Sequence, residues 1–380
     1  MPLKGGKTCK RPDFNACKEI GQQYASDVLD DFYNLAAKGF VYQPWVQFTE
    51  PLFHGKKINI VPDEIGLPTR KTLASPIDKR KPLVRIFVMG GSTTFGYNVS
   101  DEHTWPTYLS QLLNERVRHE KLPFNIEVVN YGKGYYTPSQ ETILLIDLLK
   151  NGHRPSLVVF MDGINSIKKN YSAGDVPHFT PETKKAFQAA QFGNTINLSE
   201  LWTRLKWVPM IRLANAVNNR LNSLFKQGEK RSSTIEMANE ELSRGQNVKH
   251  TVARFDQNRK IADAVCAVYG CKTLHFLQPN PRYQYNLSLY RLKLPESFFS
   301  SIKEITMFYD EMRRNKKYID LSGLFQTWDK NRKAIIDDVH YSPAFNKFLA
   351  EHVVASIDLK NLPLFSQPFD KSQATGASRS

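Results

Sequence analysis

Between residues 83 and 161 the chain repeats one pattern: a short apolar run, a turn, then ten or more residues with apolar positions at helical spacing. Leu83–Met89, Asn125–Asn130 and Leu157–Met161 read as buried strands. Trp105–Lys121, opened by Thr104 and Pro106, reads as a helix, and so does the stretch to Lys150 opened by Thr137-Pro138-Ser139-Gln140. Strands that are apolar throughout must be covered on both faces, and a helix between successive strands makes their pairing parallel. The fold class that satisfies both demands is α/β, a parallel sheet between helical layers.

The pattern breaks near residue 166 and resumes with a helix over His250–Tyr269, a strand over Thr273–Leu277, a helix over Pro295–Arg314, a short strand near Tyr318–Leu321 and a last helix over Pro343–Leu359. Residues 166–247, which contain Trp202 and Trp207, read as a helical insert, the two tryptophans as its core. Residues 1–82 form an N-terminal segment: an amphipathic helix over Asn15–Ala37, then a Pro-, Gly- and aromatic-rich lead-in, irregular or strand-bearing, with short alternating runs such as Lys57–Val61. Residues 83–365 form the main domain, and 366–380 a disordered tail.

The 380 residues are 41% apolar but hold no apolar run long enough to span a bilayer. Fifty-two Lys and Arg against 37 Asp and Glu give a formal charge of +15, yet the basic residues are scattered in pairs such as Lys168-Lys169. They read as a solvated surface, and no nucleic-acid partner is expected. Four cysteines, Cys9 with Cys17 and Cys266 with Cys271, lack metal-knuckle spacing, and no metal or cofactor is expected. Two small disulfide loops in an oxidising compartment and four free thiols both fit that spacing.

In an open parallel sheet the reactive groups lie beyond the carboxyl ends of the strands. Four blocks stand there: Gly90-Gly91-Ser92-Thr93-Thr94, Asn130-Tyr131-Gly132, Asp162-Gly163-Ile164-Asn165 and Asp337-Asp338-Val339-His340. A serine hydroxyl becomes a useful nucleophile when an imidazole takes its proton and a carboxylate orients that imidazole. Ser92, His340 and Asp337 fit these roles, Asp338 being the rival for the third. The backbone N–H groups of Ser92 and Gly132 and the amide of Asn165 would supply the oxyanion donors. Asp162 reads as a turn former, and Tyr135-Tyr136 as flanking the cleft or packing beneath it.

These blocks, in this order, resemble those of the SGNH hydrolases, the wider group of the GDSL esterases and lipases. The likeness runs over roughly Leu83–Leu359, interrupted by the insert. It implies a flavodoxin-like three-layer sandwich, Ser92 as nucleophile, Gly132 and Asn165 in the oxyanion hole, and Asp337 with His340 completing a triad. Gly90-Gly91-Ser92-Thr93-Thr94-Phe95-Gly96 and the lead-in Tyr42-Gln43-Pro44-Trp45 are similar to a bacterial branch that is often exported or membrane-tethered. The expectation is a serine esterase removing acyl, for instance acetyl, groups from a carbohydrate outside the cytoplasm. An O-acyltransferase with the same triad and a non-catalytic polysaccharide-binding module are the alternatives.

Overall fold

The computed structural model describes residues 26–73, 78, 80–166, 233–286, 296–329 and 332–365. The chain divides into two compact units, 1–170 with 248–380, and 171–247. Of the second, the described residues are 233–247, which are helical. The two tryptophans of the insert, the 366–380 tail, Cys9 and Cys17 lie outside the described residues.

In chain order the elements are α1 (Ser26–Lys38), β1 (Val41–Gln43), β2 (Gln47–Thr49), β3 (Phe53–His54), β4 (Asn59–Pro62), β5 (Pro68–Arg70), β6 (Leu83–Gly90), α2 (Ser92–Phe95), α3 (Trp105–His119), β7 (Asn125–Asn130), α4 (Pro138–Lys150) and β8 (Leu157–Asp162). Then follow α5 (Ser233–Tyr269), β9 (Lys272–Leu277), α6 (Glu296–Ser300), α7 (Ile302–Arg314), β10 (Ile319–Asp320), α8 (Leu324–Thr327) and α9 (Pro343–Ala355).

Among the described residues one sheet of eight strands runs β10-β9-β8-β6-β7-β5-β4-β3. From β10 to β7 all neighbours are parallel. The chain leaves β6 for β7 on one side and returns to β8 on the other, so the strand order reverses at β6. That reversal opens a crevice at the carboxyl ends of β6 and β8, where ligands bind in sheets of this kind. The parallel sheet is as expected from β10 to β7, and antiparallel strands of the lead-in extend it. β5 pairs antiparallel with β7 through Arg70 and Asn130, and β4 and β3 follow antiparallel. These lead-in strands are two to four residues long, and β4 overlaps the alternating run Lys57–Val61. They satisfy the β7 edge, which the parallel core alone would leave open.

Side chains alternate across β6, and Val84, Ile86 and Val88 join Trp105, Leu109 and Leu113 of α3 and Phe345, Leu349 and Val353 of α9 in one buried cluster. On β9, Phe276 belongs to that cluster and its neighbour Leu277 to another, with Phe255 of α5 and Ile305, Phe308 and Met312 of α7. Helices therefore cover both faces. Thr104 caps α3 by accepting from Thr107 N–H at 3.3 Å, and Thr137 with Gln140 forms the capping box of α4. The helix expected over Pro295–Arg314 is broken at Ser301, whose Oγ donates to the Phe298 carbonyl at 2.8 Å and so competes with the helical ladder. At the end of α5, Gly270 takes φ 75°, and a disulfide joins Cys266 to Cys271 across the turn into β9.

Candidate active site

Ser92 is the first residue after β6 that has helical geometry, and it opens the single turn of α2. Gly91 before it is extended, and a β-carbon there would collide with the amide nitrogen of Asn165. The glycine thus lets the asparagine amide lie against the backbone that carries Ser92 N–H. Asn165 sits on a short 3-10 turn after β8, held by its Nδ2 donating to the Tyr136 carbonyl at 2.9 Å.

Asp337 and His340 belong to a tight turn. Ile336 N–H donates to the His340 carbonyl at 2.8 Å and Ile335 bridges Tyr341, which brings the ends of the turn together. Inside it, Asp337 Oδ1 accepts from Val339 N–H at 2.8 Å and His340 N–H at 2.7 Å, while Oδ2 lies 2.7 Å from His340 Nδ1. His340 Nε2 is 2.9 Å from Ser92 Oγ. A carboxylate only accepts, so Nδ1 carries the hydrogen and Nε2 is left to receive the serine O–H.

The electrostatics agree with that assignment. Burial pushes the Asp337 carboxyl up, but the facing His340 charge and the hydrogen bonds from the His340 side chain and the turn's backbone outweigh it, and the group settles at about 2. Burial pushes His340 down, and the Asp337 charge and hydrogen bond, with a smaller contribution from Asp338, carry it above its ordinary value. Asp338, the rival orienter, points elsewhere: its carboxylate pairs with Arg282 at 2.7 Å.

Gly132 has a different environment from the one expected. Its N–H donates to Asn130 Oδ1 at 2.9 Å, and Asn130 Nδ2 donates to the Thr94 carbonyl at 2.9 Å. A β-carbon on Gly132 would lie 2.5 Å from Phe95 N. The glycine is there so that the β7 loop can press on the backbone of α2, and its N–H is already used. Asp162, read as a turn former, is the last residue of β8, where burial pushes its carboxyl up to about 7. Of the adjacent tyrosines, Tyr136 is buried and donates to the Phe48 carbonyl at 2.5 Å, whereas Tyr135 is exposed.

Two neighbours of the Asp337–His340 pair escape a reading by strand ends. Asn98 Nδ2 donates to Asp337 Oδ2 at 2.7 Å, and the Tyr97 ring lies edge-on to the His340 ring with centroids 5.6 Å apart. Asn98 adopts φ 64°, a left-handed backbone that asparagine tolerates better than most residues. The sequence signal was Gly96-Tyr97-Asn98 directly after the serine block, a turn-forming trio.

A family model described as GDSL-like Lipase/Acylhydrolase matches residues 86–353. The chain belongs to the GDSL-like lipase/acylhydrolase family, and it is accordingly a serine hydrolase of general esterase character. Among solved structures it is similar to a member of the lipolytic protein G-D-S-L family from Veillonella parvula DSM 2008, at 10% identity and a TM-score of 0.37, covering 73% of this chain and 100% of that one. It is also similar to TesA, at 14% identity and a TM-score of 0.34, covering 72% and 97%. Among curated proteins, none matches the chain.

Proposed function

We propose that Ser92 is the nucleophile, His340 its general base and Asp337 the residue that orients and charges the imidazole, in an esterase working through an acyl-enzyme. The observation that carries this reading is the unbroken chain of contacts from Ser92 Oγ to His340 Nε2 at 2.9 Å and from His340 Nδ1 to Asp337 Oδ2 at 2.7 Å.

As Oγ attacks the ester carbonyl carbon, its proton passes to Nε2, and Asp337 stabilises the imidazolium so formed. The carbonyl oxygen becomes an oxyanion. Ser92 N–H and the Asn165 amide, side by side at the Gly91 turn, are its donors in this proposal, each worth on the order of 3 kcal/mol. Gly132 is left out because its N–H is engaged by Asn130. The imidazolium then returns its proton to the departing alcohol, the acyl group stays on Oγ, and a water activated by the same Nε2 releases the acid.

The finer proposal is that the ester is carried by a carbohydrate. It is supported by the hairpin of β1 and β2, which docks beside the site. Tyr136 Oη bonds the Phe48 carbonyl, Gln140 Nε2 donates to the Val46 carbonyl at 3.1 Å, and Phe40 lies edge-on to Tyr135. At its tip Val46 N–H donates back to the Pro44 carbonyl at 2.8 Å, closing a three-residue turn with Trp45 in its middle at φ 69°. Such turns are rare and strained. The turn presents an indole that is 77% exposed. An exposed indole suits the flat CH face of a sugar ring, whose hydroxyl edge stays in water. The disulfide Cys266–Cys271 supports a place in an oxidising compartment.

Ser92→Ala tests the reading. It should lower kcat on a short chromogenic ester by about 10⁴-fold or more and abolish acetate release from an acetylated oligosaccharide, with an unchanged melting temperature. Retained turnover in the folded variant would refute the assignment. Activity on the chromogenic ester without release from any acetylated glycan would remove the carbohydrate proposal alone.

A further inference from the structure

Glu50 is a carboxylate from the lead-in segment, 1% exposed, and no step of the proposed mechanism uses it. Its Oε1 accepts two hydrogen bonds, from Tyr97 Oη at 3.0 Å and from Gly134 N–H at 2.7 Å. Oε2 is buried with no hydrogen-bond partner among the described residues. A carboxylate this deep calls for opposite charge nearby. Two buried cations feel it. Burial pushes both Arg70 and Lys133 down, and the negative charge of Glu50 is among the influences that hold them up.

The two bonds at Oε1 lead to opposite sides of the site. Tyr97 lies edge-on to His340, 5.6 Å between centroids, and is wedged from behind by Phe95 at 4.9 Å and Phe32 at 5.4 Å. Fixing its hydroxyl therefore fixes the surface against which the imidazole rests. Gly134 is two residues before Tyr136, whose carbonyl accepts from Asn165 Nδ2, and the residue between them, Tyr135, takes φ 64°. Anchoring Gly134 N–H sets the course of this left-handed loop and with it the acceptor from which the Asn165 amide hangs.

We infer that Glu50 is a positioning residue for both halves of the reaction, holding the His340 ring through Tyr97 and the Asn165 amide through the Gly134–Tyr136 loop. The inference rests on the proposed roles of Ser92, His340 and Asn165. It makes the lead-in segment a working part of the site, since neither Tyr97 nor Gly134 has this acceptor without it.

The test uses the full chain with Glu50→Ala, Glu50→Gln and Tyr97→Phe, read by kcat and KM on p-nitrophenyl acetate, by the rate of fluorophosphonate labelling at Ser92, and by thermal melting. Glu50→Ala should lower kcat and the labelling rate by about 10- to 100-fold, the scale of a small misplacement of catalytic groups, with KM within about threefold. Glu50→Gln keeps a carbonyl oxygen where Oε1 stands and should recover most of the loss. Tyr97→Phe keeps the ring but drops one of the two bonds and should fall between them. If Glu50→Ala does not fold, the other two variants decide: Tyr97→Phe with wild-type kcat overturns the inference. So does a folded Glu50→Ala that labels and turns over like wild type, or a loss that Glu50→Gln fails to restore. A wild-type protein that neither labels nor turns over overturns the proposed function itself, and this inference with it.

Discussion

Replacing Asn98 by glycine should separate activity from stability. The side-chain amide donates to Asp337 Oδ2 at 2.7 Å, the same oxygen that holds His340 Nδ1, and a hydrogen bond to a charged acceptor is worth about 1.5–3 kcal/mol. Against this, Asn98 Oδ1 is buried without a hydrogen-bond partner among the described residues, a defect of about 1–3 kcal/mol that the substitution removes. Glycine also accepts the backbone at φ 64°, where alanine would be strained. The opposing contributions overlap in size, so net stability should change by no more than about 2 kcal/mol, a shift of several degrees in Tm at most. Catalysis has no such compensation. Oδ2 loses a donor that binds it alongside His340 Nδ1, and if the freed carboxylate costs about 1.4 kcal/mol in imidazole alignment, kcat falls about tenfold. A carboxylate stripped of a donor also attracts the imidazolium more strongly, so the acid limb of kcat/KM should move to higher pH. The assay is kcat and KM on p-nitrophenyl acetate across the acid limb, with calorimetry on the same samples. A kcat within twofold of wild type and an unmoved limb would show that Asn98 only fills space, and the reasoning would be refuted.

Because His340 must be neutral to accept the Ser92 proton and its pKa is raised, kcat/KM should climb through a midpoint above the usual imidazole value of about 6.5. In Asp337→Asn the attraction is gone and burial remains, so that midpoint should drop while kcat falls by about 10⁴; a midpoint that stays put would detach the limb from His340. Gly132→Ala would force a methyl against backbone, 2.5 Å from Phe95 N and 2.8 Å from the Thr94 carbonyl carbon, and should cost about 1–3 kcal/mol by overpacking. Denaturant unfolding reads this directly, and a neutral result would mean that the β7 loop does not press on α2 as described.

The core of the fold was open to reading because β6, β7 and β8 are short and rich in apolar residues and α3, α4 and α9 each carry a start signal. β7 has the bounds expected, and β6 and β8 run one residue further than their apolar stretches, into Gly90 and Asp162. The same regularity made Ser92, Asn165 and the Asp337–His340 pair visible, since each stands just past a strand or just before a helix. Gly132 shows the limit of that logic. A glycine after a strand signals close backbone approach, but only coordinates reveal that Asn130 has claimed its N–H. Glu50, Tyr97 and Asn98 were hidden for another reason. Their importance lies in whom they touch, across 239 positions for Asn98 and Asp337, and no local pattern encodes such a partner. Of the antiparallel lead-in strands, β4 left a trace in the alternating run Lys57–Val61, whose Ile58 and Ile60 are buried, while β3 and β5, two and three residues long, are too short to show a pattern.

Among the described residues the sheet is bounded by its shortest strands, Phe53–His54 on one margin and Ile319–Asp320 on the other. A foreign chain seeking to add itself needs several consecutive unpaired amides in line, and two residues offer almost none. An eight-stranded array with long margins would be a template for fibrous growth at high concentration. Tapered at both rims, this one stops accepting partners where its own strands run out.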